Sequence, residues 1–117
     1  MTGDPSDLDM GAEMLAHLRQ LEARGSPGLV AHVIEAFLRD TTTRVATLRD
    51  AVAAGDVDTV YRVAHTLHGS SAMIGASVMA SRCAELSRAS QAATLDGADA
   101  IVEELAEALE TIRRAVE

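Results

Sequence analysis

The amino-acid sequence predicts an all-α protein, an up-and-down antiparallel four-helix bundle with an additional N-terminal helix. Three observations carry that expectation. Apolar residues recur at spacings of three and four along most of the chain, without the period-two alternation of a strand. The stretches are separated by helix stops and starts: Gly25 to Pro27, Gly55 with Asp56, Gly75 to Ser77, and a polar run that ends at Gly97. Aromatic residues make up only 2% of a chain that is 48% hydrophobic, so the core must come from Leu, Val, Ile, Ala and Met, a palette that favours helices. With 117 residues the expectation is a single domain over 1–117, its first residues 1–7, small and acidic with Pro5, a disordered lead-in.

The elements follow in order. Asp7 or Asp9 can cap a first helix bearing Met14, Leu15, Leu18 and Leu21, which stops near Gly25. Ser26 and Pro27 read as N-cap and first-turn proline of a long second helix whose apolar face runs from Val30 through Val33, Ile34, Phe37, Leu38, Val45 and Leu48 to Val52. Gly55 ends it and Asp56 caps a third helix, where Val57, Val60, Ala64, Leu67, Ser71 and Ile74 form an unbroken seam. Gly75 closes that helix. Ser77 can cap a fourth with Met79, Cys83 and Leu86, and the stretch from Ser87 to Gly97 holds its end and a turn. The fifth helix puts Ile101, Val102, Leu105, Ala108, Leu109, Ile112 and Val116 on one face, with its Glu and Arg residues largely outside it. Met73 and Met79 read as core filler, and the acidic side of the fifth helix as a solvated face.

Charge excludes several functions. Asp and Glu number 18 against 10 Lys and Arg, a formal net charge of -8, whereas nucleic acids and anionic membranes are bound by clustered basic side chains. No apolar run approaches the ~18 residues of a membrane span. Cys83, the single cysteine, cannot form an internal disulfide, and the first residues carry no secretory signal, so the expected compartment is the cytoplasm. No nucleotide-binding glycine loop is present, which argues against an enzyme that uses ATP.

The third helix holds the chemistry. At ~100° per residue, His65 lies about 130° from the seam's centre and should face solvent. Gly69 lies one turn on, Ala72 two turns on and Asp58 two turns back on the same stripe, with Arg62 somewhat further round. Small side chains thus leave the surface beside His65 bare enough for a macromolecule to approach, and a glycine inside a helix, at roughly 1 kcal/mol relative to alanine, wants a reason. His68 sits on the seam's flank, nearer the core but one turn from His65. A neutral imidazole offers a lone pair that can attack an electrophile. Ser71 falls on the seam, so neither it nor Ser70 reads as a nucleophile beside a base.

Residues 64–76, AHTLHGSSAMIGA, resemble the phosphorylation-site motif of histidine-containing phosphotransfer domains, A-H-x-L-K-G-S-[SA]-x-x-x-G-A. His65 falls on the accepting histidine, Leu67 on the core leucine, Gly69 on the glycine that opens the surface and Gly75 on the one that ends the helix. Ala54, Gly55 and Asp56 upstream and Cys83, Glu85 and Leu86 downstream match what the family tends to carry, so the resemblance runs from about Ser26 onward. Where the family commonly has lysine, expected to help hold the phosphoryl oxygens, this chain has His68.

The resemblance implies a monomeric phosphoryl carrier without an ATP or catalytic site of its own. His65 would accept a phosphoryl group from the aspartyl phosphate of a response-regulator receiver domain and pass it to another receiver, the partner being a response regulator, a hybrid histidine kinase or both. His68, Gly69, Arg62 and Ala72 would form the phosphoryl-contact and docking surface. The chain would bind no cofactor; the receiver would supply Mg2+ and most catalytic groups. A helical interaction module that uses the same face without phosphorylation remains the alternative. A metal clamp of His65 and His68 lacks further ligands in the pattern, with His17 and His32 on other helices.

Overall fold

The computed structural model describes residues 19–25 and 27–116, and among these there is no strand. A short helical segment, α1 (19–23), precedes α2 (Leu29–Ala54), α3 (Val57–Ile74), α4 (Ser77–Gln91) and α5 (Ala98–Val116). α2 packs on α3 and α5, and α4 packs on the same two, which closes the four long helices into a ring. Short turns join successive helices, so chain neighbours run antiparallel, the up-and-down bundle expected.

Each long helix contributes one apolar stripe to the ring's interior. Leu48 of α2, Val60 of α3, Met79, Cys83 and Leu86 of α4 and Leu105 of α5 have no solvent exposure. Of the expected apolar positions, Val30, Val33, Val52, Ile101 and Ala108 are only half-buried at the rim of that core, and Leu21 and Val57, the first residue of the expected α3 seam, are half-buried outside it. Asp7, Asp9, Met14, Leu15, Leu18 and the expected lead-in lie outside the described residues, as does the Val116 side chain.

The boundaries of α3 matter most because they fix how far it runs. Gly55 ends α2 in the left-handed region (φ 68°), its turn directing amides back to Ala51 and Val52. Asp56 then caps α3: one carboxylate oxygen accepts from the Thr59 amide at 3.1 Å and the other from the Thr59 hydroxyl at 2.7 Å. The hydroxyl first, and then the amide, holds the Asp56 carboxyl below its ordinary range. At the far end Gly75 adopts φ 82°, a conformation that costs an L side chain, and the turn returns amides to Ala72 and Ser71.

Two caps differ from expectation. Ser26 lies outside the described residues, and Pro27 is in a turn before α2, which starts at Leu29 behind Gly28 (φ 79°). No side chain of the cap residue serves that end; Glu22 of α1 instead accepts from the Val30 amide at 3.2 Å. Ser77 is the first residue of α4, with Ala76 in the cap position and no cap side-chain bond, because the turn that closes α3 leads directly into the next helix.

Met73 also departs from its expected place. It lies on the side of α3 away from the seam and is 71% exposed, while Met79 is fully buried. The α5 carboxylates are solvent-exposed as expected, but two of them also reach other helices: Glu103 is forked by Arg49 of α2 at 2.8 and 2.9 Å and Glu104 is paired with Arg82 of α4 at 3.1 Å. Exposed pairs of this kind contribute little stability, so the core stripes hold the bundle.

Met79→Ala should lower unfolding free energy by about 2–5 kcal/mol, and Met73→Ala by less than about 0.5 kcal/mol, in urea titrations. Equal losses would contradict the placement of the two methionines. Asp56 stabilises the fold when ionised, and its lowered pKa means that this contribution is complete above the unfolded carboxyl range near 4 and disappears as pH falls through the folded value. The melting-temperature gap between wild type and Asp56→Ala should therefore be widest above pH ~5 and shrink on acidification; a gap independent of pH would show that the carboxylate is not the cap.

Candidate functional site

On α3 the seam residues Val60, Ala64, Leu67, Ser71 and Ile74 are buried, which turns the opposite face outward. His65, immediately after fully buried Ala64, is exposed, and so are Gly69 and Ala72 along the same stripe. A Cβ added at Gly69 would meet nothing within 4 Å, so that position is open surface rather than a close approach of two helices. His68, expected nearer the core, is exposed as well; no neighbouring helix covers the flank where it sits. The two imidazoles and the bare strip beside them thus share one accessible face.

Arg62 is drawn toward the start of α3. Its guanidinium lies 3.4 Å from Asp58 and 3.2 Å from the Thr59 hydroxyl, so the acid on the His65 stripe is paired. Both Arg62 and Asp58 are exposed, and the pair can open to a partner at small cost.

Tyr61 was not among the residues singled out from the sequence. It is half-buried one turn before His65, with ring centroids 5.7 Å apart and planes inclined by 17°, an offset stack. Spacing of four on a helix was the available signal, because side chains lean toward the N-terminus and a residue lies over the turn that precedes it.

Other nucleophiles are placed elsewhere. Ser70 donates to the Leu67 carbonyl at 3.3 Å, and Ser71 is buried in the seam. Burial pushes the Cys83 thiol up to about 12, far from the thiolate that would react. Among the described residues no three His, Cys, Asp or Glu side chains gather as metal ligands, and no helix is long and apolar enough to cross a membrane.

A four-helix ring that presents an exposed histidine on the outer face of α3, one turn before an open glycine, has the architecture of a phosphotransfer protein. The chain is similar in structure to the crystal structure of histidine-containing phosphotransfer protein B (HptB) from Pseudomonas aeruginosa PAO1, with a TM-score of 0.80 and 24% sequence identity over 92% of this chain and 90% of that one. The sequence profile of the Hpt domain matches residues 32–115, and the chain belongs to the Hpt domain family. No curated protein matches it. The family's members are phosphoryl carriers of two-component signalling that work with receiver domains and histidine kinases.

Proposed function

We propose that His65 is the phosphoryl acceptor of this domain, taking the group from a receiver aspartyl phosphate and giving it to an aspartate on a second receiver. The observation that supports this most is the pairing of exposed His65 with open Gly69 on a helix whose other face is locked in the core. A ring nitrogen attacks phosphorus in line; the N–P bond forms as the acyl P–O bond breaks, and the electron pair leaves with the receiver's carboxylate. The proton on the other ring nitrogen passes to solvent. Reversing these steps on the second receiver regenerates free His65.

Phosphoryl transfer demands chiefly positioning and charge neutralisation, and a rigidly mounted imidazole supplies the first. Neutralisation falls to the receiver, whose carboxylates would hold the Mg2+; this chain would bind no cofactor and act as a carrier, not an enzyme. Gly69 and Ala72 let the receiver come close, and exposed Met73 extends the apolar part of that surface. His68 would donate a hydrogen bond to a phosphoryl oxygen in place of the family's lysine, and Arg62 would turn from Asp58 toward the docked partner. The domain would do this as a cytoplasmic monomer, without nucleic acid or membrane.

Phosphoramidate or a phosphorylated receiver should label wild type with an acid-labile, base-stable phosphate, and His65→Gln should abolish the label with melting temperature nearly unchanged. Undiminished labelling of the variant would remove His65 from the role; an unlabelled wild type that still binds receivers would leave an interaction module. Gly69→Leu should raise helix propensity yet slow transfer from the receiver by tenfold or more, through a branched side chain one turn from His65. Normal transfer would place docking on another face.

A further inference from the structure

Tyr61 is the only tyrosine in a chain with one phenylalanine and no tryptophan, and it lies against His65 rather than at the centre of the core. No hydrogen bond to its hydroxyl is formed by the described residues, so the ring face is its principal contact with the site. We propose that Tyr61 is a positioning residue, whose ring holds the plane of the His65 imidazole for attack on a docked phosphoryl donor. The inference rests on the carrier reading of His65.

The lone pair of an imidazole nitrogen lies in the ring plane, so the direction of nucleophilic attack is set by that plane. An exposed histidine on a helix can rotate about its outer torsion, whose minima are broad. Most orientations point the lone pair away from phosphorus when the donor is held in a docked receiver. An offset-stacked neighbour inclined by only 17° restricts that rotation, and a ring lying against the imidazole face leaves the in-plane lone pair direction open. Tyr61 is itself restrained because it is half-buried, and it precedes His65 by one turn of the same capped helix. A small donor that diffuses freely can meet the ring in whatever orientation it takes, and gains far less from a fixed plane. Slowing should therefore depend on the donor.

The test uses wild type, Tyr61→Phe and Tyr61→Leu, with two donors: a receiver domain charged with acetyl phosphate and chosen because it labels wild type, and phosphoramidate. Tyr61→Leu should slow labelling by the receiver about three- to tenfold, the factor that an aromatic pair is worth. Its rate with phosphoramidate should change less, and Tyr61→Phe should restore the receiver rate toward wild type. In NMR spectra, cross-relaxation between the Tyr61 and His65 rings and the ring-current shift on His65 should be present in wild type, and the shift should survive in the Phe variant and vanish in the Leu variant. Equal slowing with both donors, no slowing with the receiver, or failure of Phe to restore the rate would overturn the positioning role. Absence of ring-to-ring cross-relaxation in wild type would do so without any variant, which covers the case of a Leu variant that does not fold. If phosphoramidate leaves wild type unlabelled and no charged receiver labels it either, so that no receiver can be chosen, the carrier reading fails and the inference falls with it; a labelled wild type with an indifferent Leu variant overturns the inference alone.

Discussion

The azimuth of α3 is the constraint on which the site depends. Ala64 is fully buried and Leu67 is 1% exposed, and at ~100° per residue no rotation of the helix can keep both inside and bring His65 in with them. Turning the helix far enough to bury His65 would expose Leu67 and Val60, each worth roughly 1.5–3 kcal/mol of burial. The imidazole is held outward by the energetics of residues that take no part in chemistry. Axial position is fixed in the same indirect way, by the Asp56 cap at one end of α3 and the left-handed turn at Gly75 at the other.

Charge around the site follows from where the acids are placed. The chain carries a formal net charge of -8, which by itself would oppose a phosphoryl dianion. Asp58, the carboxylate on the His65 stripe, is paired with Arg62, and on α5 Glu103 and Glu104 are paired with arginines of α2 and α4. The field at His65 is therefore milder than the net charge suggests. A bare, nearly neutral strip of Gly69, Ala72 and Met73 beside it suits the approach of a second protein better than a charged one would, since few groups need to be desolvated.

Much of this was legible in the sequence, because the relevant physics is local. The α3 seam, its Asp56 cap, its Gly75 stop and the exposure of His65 all follow from spacing and cap chemistry within one helix. What was not legible depends on other elements or on helix angle where residue type alone points elsewhere. The start of α2 is served by Glu22 across a turn, a contact that no local signal announces, so Ser26 and Pro27 looked like the natural start. Methionine as a residue type points to the core for Met73 and Met79 alike, whereas the angle of Met73 on α3 sets it on the outer side. The exposure of His68 depends on how far the neighbouring helices reach across its flank. Tyr61 lies four residues before His65, outside the 64–76 motif, so only helical spacing marks it as the ring that stacks on the histidine.

Stability and site chemistry occupy different faces of the same helix. His65, His68, Gly69 and Ala72 are all exposed and none belongs to the apolar core. The charged contact near them, Arg62 with Asp58, is made within α3 and not to another helix. Gly69 even weakens the helix by roughly 1 kcal/mol relative to alanine. The helix nevertheless persists, because α2 and α4 grip its other side and tertiary packing rather than propensity supplies most helical stability in a protein. Such a separation leaves the outer face free to vary in shape and charge without loss of the fold, and a carrier that must fit particular partners needs that freedom.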